Sequence, residues 1–255
     1  MEKPTATREG ATPLALIAAG GEGKRLGSIG PKALVVCGGR PLLAWCLDAF
    51  AASRSFGDAA GSVVVAAHAS ELPAFEAACH EARAAGLNVK VTDGGPSRSH
   101  SVAAALRAGV AAAGEPSVVL VHDAARIFTT PVLIDTLHDS LTGLPPQIAG
   151  QIAARPVTDT IKLVDEQGDV QETPPRERLW AVQTPQAFRY AALAEALGVT
   201  GDVSDDVLAG ATDDASLVEA RGGKIRVLDW SEPNEKITTP QDLAAAEAKL
   251  TRSGS

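Results

Sequence analysis

Short apolar runs alternate along the chain with Ala-rich segments whose apolar positions recur at helical spacing. LALIAA (14–19), SVVVAAH (62–68), NVKVTD (88–93) and SVVLVHD (117–123) read as buried strands. Between them, PLLAWCLDAFAAS (41–53), ELPAFEAACHEARAAG (71–86) and RSHSVAAALRAGVAAAG (98–114) read as helices, the last two closed by Gly86 and Gly114. PVLIDTLHDSL (131–141) adds a helix with Pro at its start. This alternation predicts a parallel sheet covered on both faces, with right-handed crossovers.

The pattern changes after QIAGQIAARPV. From Thr158 to about Trp180 the residues are polar, and the apolar positions of DTIKLVDEQGDVQET are spaced like two short strands around an EQGD turn. The segment reads as a β-arm over about 158–180 whose use is contact with a second subunit, giving a symmetric homodimer. A solvated hairpin without a partner is the alternative. A helix over roughly 187–198, another near 213–221, a strand KIRVLD (224–229) and a final helix QDLAAAEAKL (241–250) complete the chain. The expected architecture is an α/β, Rossmann-like, mostly parallel sheet with helices on both faces and a projecting β-arm. One domain spans 14–250, after a flexible segment at 1–13.

Composition narrows the chemistry. The 255 residues are 45% hydrophobic and 21% charged, ordinary for a globular protein, with a formal net charge of −8. That balance argues against bulk binding to nucleic acid or to an anionic membrane. Any anion must be held by a local cluster of cations. No apolar run approaches the ~18 residues needed to cross a bilayer, and MEKPTATREGATP lacks the apolar core of a signal peptide, so a cytoplasmic location is expected. Cys37, Cys46 and Cys79 share no metal-ligand spacing and read as reduced packing groups.

The first strand runs into AAGGEGKRLGSIGPKAL (18–34), which holds five glycines and the cations Lys24, Arg25 and Lys32. In an open α/β sheet, ligands sit beyond the carboxyl ends of the strands. Glycines there let main-chain N–H groups approach phosphate oxygens. The P-loop pattern fails, because Gly23-Lys24 is followed by Arg25; the dinucleotide fingerprint fails because its third glycine comes one position late, at Gly27. Cations inside a glycine loop suit a nucleoside triphosphate attacked at its α-phosphorus, where they face the charge that develops. A plain surface turn is the competing reading.

Three further stretches support the phosphate reading. VTDGGPSRSHSV (91–102) is a second strand-to-helix corner, able to offer N–H and hydroxyl groups to a base or ribose. VLVHDAAR (119–126) puts Asp123 at a strand tip, suited to Mg²⁺, and Arg126 beyond it, suited to a phosphate. An N-cap is the plainer role for Asp123, and a ring packed beneath the site is the role read for His122. NEKITTPQDL brings Lys236 just before the last helix.

Taken in order, AAGGEGKRLG…PKAL, DGGPSRSHSV, LVHDAAR, PVTDTIK, QTPQAF, TDDASLVE and KITTPQDL resemble the 2-C-methyl-D-erythritol 4-phosphate cytidylyltransferase family, over about residues 14–250. The resemblance implies that the substrate's 4-phosphate attacks the α-phosphorus of CTP in line and pyrophosphate leaves with Mg²⁺. It implies Arg25, Lys32 and Lys236 as catalytic cations. Ala18, Ala19, Gly21, Gly23, Gly95, Arg98 and Ser101 would bind the nucleotide. Asp123, Arg126, Thr158 and Asp159 would bind substrate, with Asp123 also at the metal and the last two reaching a neighbour's site. The chain departs from the family pattern at three places: one extra residue in the glycine loop, Thr158 where many members have Arg, and Glu235 inside Asn234-Glu235-Lys236. Arg155 and Lys162 are the candidates to supply the missing charge. The competing functions are a ribitol-5-phosphate cytidylyltransferase, a nicotinamide-dependent oxidoreductase and a non-catalytic nucleotide-binding module.

Overall fold

A computed structural model describes residues 12–253 apart from 22, 28 and 29. The expectation for 1–13 falls almost wholly outside the described residues. Seven strands form the central sheet, in the order β11-β7-β10-β6-β1-β4-β5. The four strands read from apolar runs are β1 (Leu14–Ala18), β4 (Ser62–Ala67), β5 (Asn88–Asp93) and β6 (Val118–Asp123), and all pair in parallel. Every residue of β6 is buried, as a central strand covered on both faces must be. A small ribbon, β2 (Val36–Cys37) with β3 (Arg40–Pro41), follows the glycine loop.

The helices start where their caps dictate. α1 (Leu42–Ala51) follows Pro41 and buries most of its residues. Ser97 caps α4 (Arg98–Ala113), and Gly114 closes it at φ 81°. Thr130 caps α5 (Pro131–Gly143), whose first residue is Pro. The helix expected over 71–86 is two pieces, α2 (Leu72–Ala78) and α3 (His80–Ala84). Cys79 flattens to ψ −5° between them, where it tucks into the core, while main-chain bonds from Cys79 to Phe75 and from Arg83 to Cys79 carry the turn across.

The second half differs most from the sequence reading. β7 (Ile148–Pro156) and β11 (Lys224–Asp229) pair in parallel, and β10 (Trp180–Arg189) runs antiparallel between β7 and β6. The helix expected from 187 therefore begins only at Tyr190, as α6 (Tyr190–Ala196). Ala187 and Phe188 belong to β10 and are fully buried. A ladder on both sides of that strand outweighs the helix preference of the alanines beyond it. α7 (Asp205–Gly210) was not expected; α8 (Asp214–Ala220) and α9 (Pro240–Ser253) fall where the pattern put them. The arm is a hairpin of β8 (Leu163–Val164) and β9 (Val170–Glu172), paired only with each other. Among the described residues no helix is long and apolar enough to cross a membrane.

The core divides into layers on the two sheet faces. Within one of them, Phe50 stands edge-on to Phe56 at 5.1 Å and to the His122 ring at 5.8 Å. Phe50 thus fills the space directly beneath the tip of β6. Phe50→Ala should cost about 3–5 kcal/mol of stability through lost transfer energy and an unfilled cavity. Urea denaturation of the pure variant measures it, and a loss below about 1 kcal/mol would contradict this packing.

Candidate active site

One cavity of about 500 Å³ opens at the carboxyl edge of the sheet. Its lining unites Ala18, Ala19, Gly21, Gly23, Arg25, Lys32, Gly95, Arg98, Ser101, Asp123 and Lys236 from segments far apart in sequence. Lys24, Ser97 and Thr238 also face it. Arg126, Thr158 and Asp159 do not line it.

The glycine loop is shaped by two left-handed residues, Gly23 at φ 67° and Gly27 at φ 70°, which bracket a single turn over Lys24–Leu26. An L side chain is strained at either position. The loop is closed by the Lys32 N–H, which donates to the Gly21 carbonyl at 2.8 Å. That bond fixes Lys32 against the start of the loop. Half-burial pushes the Lys32 ammonium down to about 8; the charges of Lys236 and Arg25 push the same way, against the opposing pull of Asp123.

The corner after β5 is held by Ser101. Its hydroxyl accepts the Gly95 N–H at 3.0 Å and donates to the Ser97 carbonyl at 2.9 Å. A Cβ on Gly94 would lie 2.8 Å from Ser101 Oγ, and one on Gly95 would collide with His100, so both glycines are required by close packing.

Asp123 is the hub. Arg98 Nε donates to its Oδ1 at 3.1 Å, and Lys236 Nζ to its Oδ2 at 2.6 Å. Burial works against its ionisation, but Arg98 and then Lys236 outweigh it and hold the carboxyl well below the usual range. Arg98 NH1 reaches on to the fully buried Asp214 at 2.7 Å. The result is a chain of acidic and basic groups, Asp214–Arg98–Asp123–Lys236, from the interior to the cavity, in which complete burial raises the Asp214 carboxyl against the pull of Arg98. The side chain of Asp123 caps no helix; only its carbonyl makes a turn, to the Arg126 N–H. Each Asp123 oxygen keeps a lone pair beyond these bonds. One carboxylate completed by phosphate oxygens is a donor set that Mg²⁺ takes. Among the described residues no group of three or more His, Cys, Asp or Glu gathers, so a metal here would depend on the nucleotide for its other ligands.

Several residues without an assigned role do the positioning. The Asp123 N–H donates to Thr184 Oγ1 at 3.1 Å, and buried Asn234 donates to the Thr184 carbonyl at 2.8 Å. Thr129 donates to Asn234 Oδ1, and the Ile237 N–H to the Ala125 carbonyl. Lys236 is thus carried on a segment pinned on both sides. Glu235 between them is exposed and pairs with Lys249 at 3.6 Å, so its charge points away from the cavity. His122 is fully buried beside Thr184, and burial lowers it to about 4, leaving a neutral packed ring. The signal for Thr184 and Asp214 was present in QTPQ and TDDAS. Thr184 and Asp214 are polar positions within elements that bury residues beside them, whereas Asn234 lies in a coil between the exposed Pro233 and Glu235 and carries no such signal.

Arg126 is turned to main chain: its guanidinium donates to the Asn234 carbonyl at 2.7 Å and to the Val182 carbonyl at 3.4 Å. Thr158 and Asp159 are exposed at the root of the arm. Lys162 is tied to Thr173 at 2.7 Å, whereas Arg155 lies close enough to Arg126 for their charges to repel.

The family model described as 2-C-methyl-D-erythritol 4-phosphate cytidylyltransferase matches residues 14–252. An enzyme of that name from Saccharopolyspora erythraea is 42% identical over 239 residues, covering 93% of this chain and 98% of its own. One from Nostoc punctiforme is 39% identical, covering 94% and 98%. The crystal structure of the Thermus thermophilus enzyme of that name superposes with a TM-score of 0.70 at 31% identity, over 95% of this chain and 99% of the other. Shared sequence over nearly the whole length, on the same fold, makes this chain a member of the 2-C-methyl-D-erythritol 4-phosphate cytidylyltransferase family.

Proposed function

We propose that the protein joins CTP to 2-C-methyl-D-erythritol 4-phosphate, giving 4-diphosphocytidyl-2-C-methyl-D-erythritol and pyrophosphate. The observation that carries this is the convergence of Arg25, Lys32 and Lys236 on one cavity in a chain of net charge −8. The curated relatives compared above are all named for methylerythritol, and the ribitol alternative is not favoured. The free, buried cysteines suit work in the reducing cytoplasm.

In this reading the triphosphate lies along the glycine loop, with Arg25 and Lys32 beside the α-phosphorus. The substrate phosphate attacks that phosphorus from the side opposite the leaving pyrophosphate. No group of the protein becomes covalently bound. Its work is to align the reactants and to stabilise charge on the equatorial oxygens. Lys236 is presented by Asp123 and by its pinned segment, so little reorganisation is needed as charge develops. Asp123 is the residue to hold Mg²⁺, which when bound with the triphosphate neutralises charge on the leaving pyrophosphate. Ala18, Ala19, Gly21, Gly23, Gly95, Arg98 and Ser101 form and brace the nucleotide cradle.

The arm supplies the rest. Ile161, Leu163, Val164 and Val170 on it are 41%, 54%, 49% and 57% exposed. Exposure of this many apolar side chains on one hairpin fits a covered interface. A second copy of the chain covers them, and Thr158 and Asp159 of one protomer reach the substrate site of its partner, near Arg126.

Mixing enzyme, Mg²⁺, CTP and the methylerythritol phosphate should release pyrophosphate, and no release would reject the reading. In that assay Lys32→Ala should lower kcat by ~100-fold or more, the scale of one lost transition-state donor, with a smaller change in CTP affinity. A large rise in KM with kcat intact would make Lys32 a binding group instead.

A pH dependence follows from Lys32, lowered from 10.5 to about 8 by burial and by neighbouring cations. Bound triphosphate adds negative charge and raises it again. Between about 8 and 10.5 binding therefore takes up a proton, and affinity falls as pH rises, by up to tenfold per unit. Below that window this group adds no slope. Calorimetric titration of CTP without metal should show the fall in wild type and lose it in Lys32→Arg.

Leu163→Asp combined with Val170→Asp should convert the dimer to monomer in sedimentation equilibrium and lower turnover with it. A wild type that sediments as a monomer while fully active would sink the arm's role.

A further inference from the structure

The cavity's cations come from the loop after β1 and from the segment that closes over Asp123 on β6. The corner after β5 lies on the other side of β1, beyond β4, and contributes the uncharged Gly95, Pro96 and Ser97. Arg98, which follows, spends its charge on Asp123 and Asp214. A nucleotide has an anionic part and a neutral part, so the uncharged corner faces the base.

Ser97 is unusual within that corner. Its Oγ lies 2.8 Å from His100 Nδ1, and His100 Nε2 lies 3.2 Å from Asp205 Oδ1. The His100 main-chain N–H also points at Ser97 Oγ, at 3.4 Å. Gly95 packs against the Cβ and main chain of His100 and leaves no room there for a side chain.

Donor and acceptor capacities give this set a direction. The Asp205 carboxylate only accepts, so Nε2 carries a proton. With the ring uncharged, Nδ1 is then an acceptor, and the Ser97 hydroxyl donates to it. The other acceptor within reach of that hydroxyl, the Leu208 carbonyl at 3.4 Å, also draws the proton away from the cavity. A free serine hydroxyl can donate or accept and distinguishes little. One whose proton is committed inward can only accept, through the lone pair that the His100 main-chain N–H leaves over. Cytosine carries an amine donor where uracil carries a carbonyl acceptor. Two acceptors facing each other leave both unpaired in a desolvated site.

We propose that Ser97, its proton held inward by the His100–Asp205 pair, accepts a hydrogen bond from the exocyclic amine of cytosine and so selects CTP over UTP. Ser97 touches the base; His100 and Asp205 are positioning residues. The inference rests on the cytidylyl-transfer reading above and adds to it a set of residues in which Asp205 lies on an exposed helix outside the cavity.

The test is the ratio of kcat/KM for CTP to that for UTP, in wild type, Ser97→Ala and Asp205→Ala. Ser97→Ala should lower the ratio about tenfold or more, because the acceptor is gone. Asp205→Ala should lower it several-fold, with UTP use rising, because His100 is then free to donate from Nδ1 and release the serine proton to the cavity. Ser97 also caps α4, so should its variant misfold, Asp205→Ala decides alone; its side chain is 93% exposed. Active wild type with both ratios within about twofold of its own would overturn the inference and leave the proposed reaction standing. A ratio that moves in Ser97→Ala but holds in Asp205→Ala would overturn the relay. No pyrophosphate from CTP with wild type would overturn both readings.

Discussion

The site depends on a carboxylate that must stay charged where charge is expensive. Asp123 sits at the tip of a strand buried along its whole length, with its side chain 11% exposed. Its ionisation is sustained by two cations that come from distant parts of the chain, Arg98 on α4 and Lys236, 113 residues away. Removing either partner would leave a buried charge incompletely paired, which is far costlier than losing an exposed ion pair. The pairing therefore fixes both where α4 begins relative to β6 and where the chain before α9 crosses the cavity.

The same constraint explains why so many polar side chains are buried behind the site. Thr184, Asn234 and Thr129 satisfy one another and the Asp123 main chain. Buried hydrogen bonds of this kind hold geometry more rigidly than apolar packing alone. They supply the fixed scaffold on which Lys236 can be aimed. Opposite them, Lys32 is held against the glycine loop by a main-chain bond and suffers the charge of Lys236 and Arg25. The cations of the cavity thus repel one another.

The arm obeys a different rule. Its two short strands pair only with each other, and its apolar residues face outward. An isolated two-stranded hairpin is marginal in water. Its valines and leucine are left exposed on both short strands.

Much of this was legible along the chain. The strands at 14–18, 62–67, 88–93 and 118–123, the helices capped by Ser97 and Thr130, and the glycine loop all follow from local periodicity, turn chemistry and caps. These signals lie within a few residues of one another, so the chain states them without help. The placement of Arg25, Lys32 and Asp123 at one edge follows from the strand-to-loop order, whereas Lys236 reaches that edge only through the fold. What the tertiary structure alone decided is non-local. β10 is a strand because ladders on both sides claim it, against the alanine-rich run that follows. Arg126 turns to carbonyls at 182 and 234 because those carbonyls lie beside it only in the fold. Asp214 matters because a guanidinium 116 residues earlier finds it. Pairing partners for strands and counter-charges for buried ions are chosen by distance in space. A pattern read along one dimension carries no record of that distance.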